Sequence, residues 1–145
     1  MNFYRISMKT HTTNCFDTFI EVADDCPATT GETPPTKGDD KSLANLQFEM
    51  VSPNPYKYTS DEVLFQCFAT KKALTASEMP AERDIFFSKG QPCFRASPLA
   101  KRYGWGVHNN SEGKIAIFGR ETEEYEQFSN DTIINKTKAM RSKKA

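Results

Sequence analysis

Six side chains able to grip an anion or attack a carbonyl crowd into one short stretch of this chain: Cys93, Arg95, Ser97, Lys101, Arg102 and His108. The segment from Phe86 to His108 reads FFSKGQPCFRASPLAKRYGWGVH and holds four cations, three glycines, two prolines and five aromatics in 23 residues. The first chemistry it fits is recognition of a small phosphate- or carboxylate-bearing ligand. Arg95 offers a bidentate fork. Ser97 and the N–H groups after it would open a helix toward the anion, and His108 would hydrogen-bond it or exchange a proton. Lys101 and Arg102 add charge. From Ile85 to Lys114 five cations face a single acid, Glu112, a local net of +4.

Two other chemistries use the same residues. Cys93 as nucleophile and His108 as base, with Asp17 or Glu21 orienting the ring, are the residue types of thiol catalysis. No family-type cysteine signature surrounds Cys93. Lys101, Arg102, Tyr103 and Trp105 interleave charge with stacking surface, as single-stranded nucleic-acid binders do. The zero formal net charge and the acidic run Glu121, Glu123, Glu124 and Glu126 make nucleic acid the less favoured partner. Each reading has a plainer rival. Arg95 pairs structurally with Asp17 or Glu21, His108 is a hydrogen-bonded sheet residue, Cys93 is a small buried hydrophobe, and Trp105 anchors the core.

Other chemistries find little support. No Walker loop or GxGxxG occurs, so a nucleotide triphosphatase or Rossmann enzyme is not indicated. Cys15, Cys26, Cys67 and Cys93 form no CxxC, and neither His11 nor His108 adjoins a cysteine pair. Asp24-Asp25 and Asp39-Asp40 read as solvated loop carboxylates. No metal and no cofactor is expected. The chain has no apolar run of 18 residues, so no spanning helix is expected. Its first 14 residues lack a signal-peptide core, which gives a cytoplasmic location as the default.

The elements that must position these groups follow from pattern. At 145 residues the chain has the length of one domain and can bury roughly two-thirds of its unfolded surface. Residues 15–22 alternate, which predicts a strand with Phe16, Ile20 and Val22 inward and Asp17, Phe19 and Glu21 on the other face. Residues 23–41, with three prolines and two glycines, form a long loop. Ser42 starts a helix that Pro53 ends. Thr59 to Glu62 has capping-box form and starts a turn of helix. Residues 63–70 (VLFQCFAT) read as a strand, with helix as the alternative. Pro80 opens a short helix through Ser88, with Gly90 as its stop. Cys93–Ala96 reads as a strand and Ser97-Pro98 as the cap and first residue of a helical turn. Residues 105–109 and 114–118 form a hairpin around Gly113, with Val107 opposite Ile117 and His108 opposite Ala116. Residues 121–129 form an amphipathic helix.

This alternation puts Asp17, Glu21, Cys93, Arg95 and His108 on one sheet face, with Gly106 leaving room between them. The expected fold class is α+β, a single domain with a mainly antiparallel sheet and short helices packed on one face. Residues 1–13 are expected to be a flexible leader, with Met8 an alternative start. Residues 14–131 are the domain, and 132–145 a basic tail, in part helical. A homo-oligomer is compatible with all of this, a membrane partner is not.

Three stretches also carry a resemblance: TFIEVADDCPATTGETPP (18–35), NPYKYTSDEVLF (54–65) and KGQPCFRASPLAKRYGWGVH (89–108), together with the ending AMRSKKA. They resemble an uncharacterised family of small bacterial proteins, a domain of unknown function. The resemblance spans nearly the whole chain outside MNFYRIS. It implies a bacterial, single-domain, cytosolic protein and brings no established activity, cofactor or catalytic residue.

Overall fold

The computed structural model describes residues 10–143. Strand β1 (Thr18–Glu21) is followed by the long loop and helix α1 (Leu43–Val51). Helices α2 (Ser60–Lys72) and α3 (Met79–Phe87) come next, then a 3-10 turn (Phe94–Ala96) and the short helix α4 (Pro98–Lys101). The hairpin β2 (Trp105–Asn109) and β3 (Ile115–Gly119), helix α5 (Glu123–Asn130) and strand β4 (Asn135–Lys138) complete the fold. The sheet order is β3-β2-β1-β4. β2 pairs antiparallel with both β3 and β1, while β4 lies parallel to β1. The fold is therefore α+β with a mixed sheet.

The hairpin has the expected register, Val107 opposite Ile117 and His108 opposite Ala116. Gly113 supplies the left-handed residue at φ 78° that the turn requires. The strand alternation then sorts two layers. Ile20, Val107 and Ile115 meet Val51, Val63, Cys67, Phe94 and Ala100 in the main core. Phe19, paired with His108, faces the other way under α5. There the Phe19 ring meets Tyr125 edge-on at 5.1 Å and stacks on Phe128 at 5.1 Å. Helices thus cover both sheet faces, where the sequence reading placed them on one.

Residues 63–70 are helix, not strand. Val63, Phe65, Cys67 and Ala69 are all buried, which looks like a period of two. The cause is that α2 is packed on two sides. Val63 and Cys67, four apart, join the main core, while Phe65 and Ala69, also four apart, join Phe87 of α3 in a second cluster. The capping box decides the outcome: Glu62 N donates to Thr59 Oγ1 and Thr59 N to Glu62 Oε1. It starts 13 residues of helix, not one turn.

Cys93–Ala96 is a 3-10 turn, not a strand. Pro92 and Pro98 bracket it and remove backbone donors from any ladder. Within it Ala96 N bonds Cys93 O at 2.9 Å and Ser97 N bonds Phe94 O at 3.0 Å. The basic stretch after Thr132 contributes no helix among its described residues. Its residues 135–138 extend the sheet as β4, whose lysines blunt an exposed edge. Lys138 Nζ reaches Asp24 at 2.8 Å. The backbone N–H groups of Ser142 and Lys143 donate to Asp25 and hold its carboxyl below the usual range. The leader expected over 1–13 lies mostly outside the described residues. At its end Thr13 N and Oγ1 donate to Asp61, tying this segment to the start of α2.

Candidate functional site

A cavity of about 550 Å³ opens between α1, α2, α3 and the turn before α4. Helix α2 supplies the largest part of its wall, with Leu64, Cys67, Phe68, Lys71 and Lys72 along one side. These positions recur at three- and four-residue spacing, one stripe of a helix. Leu43 and Gln47 come from α1 and Phe86 from α3. Pro92, Cys93, Ala96 and Ser97 close the opposite side. The wall is mostly apolar, with a few polar groups at fixed places, the usual make-up of a small-molecule site.

The polar groups are tightly arranged. Ser97 is 3% exposed and Gln47 1% exposed. Ser97 Oγ accepts the Leu99 N–H at 3.1 Å, as the cap of α4, and donates to Gln47 Oε1 at 2.5 Å. That bond fixes the Gln47 amide at the cavity wall. Cys93 Sγ accepts the Arg95 backbone N–H at 3.4 Å. Cys67 is deeper, and burial pushes its thiol up to about 11. Lys71 and Lys72 are exposed. Lys71 Nζ donates to the Lys41 carbonyl at 3.3 Å, and Lys72 Nζ lies 6.0 Å from the Phe68 ring centroid.

The candidate residues of the sequence do not converge as expected. Cys93 and Ser97 share this cavity. Arg95 points away from it, exposed, with Nε donating to Lys138 O at 2.8 Å. Its carbonyl accepts from Met140 N at 2.7 Å, so Arg95 clips the end of the chain, and its bond goes to this backbone rather than to Asp17 or Glu21. Lys101 and Arg102 line a neighbouring cavity of about 370 Å³ with Ser42, Pro98 and Tyr103. α4 has only 4 residues, and the Ser97 hydroxyl that caps it is already occupied. The anion cradle of Arg95, Ser97 and His108 is not assembled.

His108 sits on the other face of the sheet. Its ring stacks on Phe128 at 4.1 Å, and Nδ1 shares a hydrogen bond of 2.8 Å with Tyr56 Oη. Burial lowers its pKa, against an opposing pull from Asp17 and Asp131. Phe94, next to Cys93, packs in the core layer with Val107, so the sheet stands between Cys93 and His108 and the thiol–imidazole pair is not formed. The gap left by Gly106 is filled as well. A Cβ there would lie 2.6 Å from both Phe19 Cζ and Tyr125 Cε2. Among the described residues no three His, Cys, Asp or Glu side chains gather to hold a metal ion.

Sequence reasoning missed Gln47, Leu64, Cys67, Phe68, Lys71 and Lys72. One signal was present. Gln47 stands four residues after Leu43 in the apolar stripe of α1, where a polar residue needs a reason. Leu64, Cys67 and Phe68 were hidden because residues 63–70 read as a strand, which scatters them over two faces, and Lys71 and Lys72 lay beyond that segment.

No curated protein and no solved structure matches the chain. Over residues 10–145 it matches, and therefore belongs to, the Family of unknown function (DUF6157).

Proposed function

We propose that this protein binds a small amphipathic anion, a molecule with an apolar body and one negative group, in the cavity between α1, α2 and α3. The observation that carries the reading is the pairing of an apolar wall (Leu64, Phe68, Phe86) with two exposed lysines, Lys71 and Lys72, along the same helix. The anion is the ligand class read from the sequence. Its cations are now these two lysines, not Arg95. A volume of about 550 Å³ lies within the range of small-ligand sites. The apolar body supplies most of the affinity, about 0.8 kcal/mol per buried methylene, and the solvated lysines add a smaller, salt-sensitive part.

All four cysteines are free thiols, which fits a reducing compartment such as a bacterial cytosol. Among the described residues no helix is long and apolar enough to cross a membrane.

Calorimetric titration with a series from butyrate to decanoate tests the reading. Affinity should rise with chain length until the cavity is filled. Lys71→Ala/Lys72→Ala should weaken decanoate more than decanol, and Leu64→Trp should abolish both. Binding that ignores chain length, or that survives Leu64→Trp, refutes it.

A further inference from the structure

Lys101 and Arg102 play no part in the cavity between α1, α2 and α3. They stand at the end of α4 and line the second cavity, of about 370 Å³. Lys101 is half-buried and Arg102 exposed. Among the described residues neither side chain makes a hydrogen bond, an ion pair or a ring contact. No Asp or Glu among those residues lines the cavity. Elsewhere the cations have work within the fold: Lys41, Lys114 and Lys138 each pair with an acid, and Arg95 Nε donates to the Lys138 carbonyl. Here two positive charges share one concave surface with no described group to neutralise them.

Their backbone is fixed where their side chains are free. Arg102 N and Tyr103 N both donate to Pro98 O, at 2.8 and 3.2 Å, and Tyr103 O accepts the Glu32 N–H at 2.8 Å. A fixed base lowers the entropy lost when the two side chains grip a ligand. Leu43, Ala44, Ala96 and Pro98 supply an apolar part of the wall. Leu43 and Ala96 also line the first cavity, so the two cavities share a wall.

Charge decides the ligand class. A phosphate monoester has a second pKa of about 6 and carries close to two negative charges at neutral pH. It matches a lysine–arginine pair, whereas a carboxylate leaves one cation unmet. Arginine brings the planar fork and lysine the point charge with which proteins hold phosphate. A volume of about 370 Å³ also has room for a small organic body against the apolar wall.

We propose that Lys101 and Arg102 bind a phosphate monoester in this second cavity, its organic part lying on Leu43 and Pro98. The site uses none of the cations of the amphipathic-anion reading and stands or falls without it. The phosphate belongs to a separate molecule or to the far end of a ligand that crosses Leu43 and Ala96 into the first cavity. The dianion is common to both, and the probes below separate them.

The test is calorimetric titration of the full chain with phenyl phosphate at pH 7.5 and low salt. Phenyl phosphate should bind, weaken as salt is raised, and bind more tightly than phenyl sulfate, which has the same shape and one charge. Lys101→Ala/Arg102→Ala should weaken it at least about 10-fold, the loss of a charge-assisted contact. Tm should not change, because neither side chain has a partner among the described residues. If that variant does not fold, Arg102→Lys, which keeps the charge and loses the fork, should still weaken binding and decides in its place. Octyl phosphate identifies the source. Sensitivity to both Leu64→Trp and the double variant joins the phosphate to the ligand of the first cavity, and sensitivity to the double variant alone assigns it to a separate molecule. Absence of phenyl phosphate binding, equal affinity for phenyl sulfate, or unchanged affinity in the double variant overturns the proposal. A parent protein that binds phenyl phosphate but not decanoate overturns the amphipathic-anion reading alone, and one that binds only decanoate overturns this proposal alone.

Discussion

Gly106→Ala should be among the more damaging single-atom changes in this protein. Gly106 lies in β2, a central strand, and its missing side chain faces α5. A Cβ built there lies 2.6 Å from Phe19 Cζ and 2.6 Å from Tyr125 Cε2. Neither ring can yield freely. Phe19 is fully buried and wedged between Tyr125 and Phe128, both at 5.1 Å. Tyr125 is held at its far end, where Oη accepts the Val22 N–H at 2.9 Å. Ordinary carbon contact is about 3.5–4.0 Å, so the two rings must together give about 1 Å or more on each side of the new methyl. Overpacking costs about 1–3 kcal/mol, and with two held rings both at 2.6 Å this site falls in the upper part of that range, about 2–3 kcal/mol. Alanine recovers about 0.5–1 kcal/mol of glycine's chain entropy in a strand, leaving a net loss of about 1–2 kcal/mol. Urea denaturation should show a lower midpoint at unchanged slope, and Tm should fall by roughly 5 °C for a domain of this size. In a Tyr125→Leu background, where one of the two obstructing rings is gone, the cost of Gly106→Ala should shrink by about 0.5 kcal/mol or more, a coupling expected of residues in contact. A Gly106→Ala protein as stable as the parent would refute the packing of α5 on this face and reopen the gap that the sequence pattern left there.

Ser97→Ala removes the cap of α4 and strands Gln47 Oε1 and the Leu99 N–H. Chemical denaturation should show a loss of about 2 kcal/mol, and a change within error would mean that the Ser97–Gln47 bond is not formed. His108 has its pKa lowered from 6.5 by burial. The unfolded chain therefore takes up a proton first, and stability present above pH 6.5 is lost as pH falls below it. Urea titrations from pH 7.5 to 5 should show a steeper decline in the parent than in His108→Gln, and equal slopes would count against burial as the cause. Ala73 holds the left-handed position that ends α2, at φ 52°. Ala73→Gly should stabilise the protein by about 0.5–1 kcal/mol in a thermal melt, and a destabilised variant would contradict that backbone conformation.

Much of the fold was legible in local signals. The caps at Ser42, Thr59 and Ser97, Pro80 near the start of α3, and the hairpin around Gly113 depend on residues within four positions of one another, so short-range rules suffice. The family and its lack of a known activity were legible from motif resemblance as well. Where the reading failed, a residue's neighbours came from far along the chain. The 63–70 segment imitates a strand because two separate clusters bury adjacent sides of one helix. Residues 135–138 became a strand because β1 offered an open edge, not because NKTK favours one. Cys93 to Ala96 has strand-like residues, but the flanking prolines and the seat of Phe94 in the core bend it into a turn.

The candidate site divides in the same way. Its chemical inventory, a thiol, cations and a serine cap in the 86–108 stretch, was set by composition and visible without a structure. Which of those groups meet was decided by tertiary packing alone. The sheet separates His108 from Cys93, the chain's end takes Arg95, and Gln47 and Lys71 reach the cavity because α1 and α2 lie against the turn before α4. Local sequence determines caps, turns and the period of an isolated face. Only the assembled fold determines which faces are shared, because a buried pattern depends on how many neighbours an element has and from which directions they come.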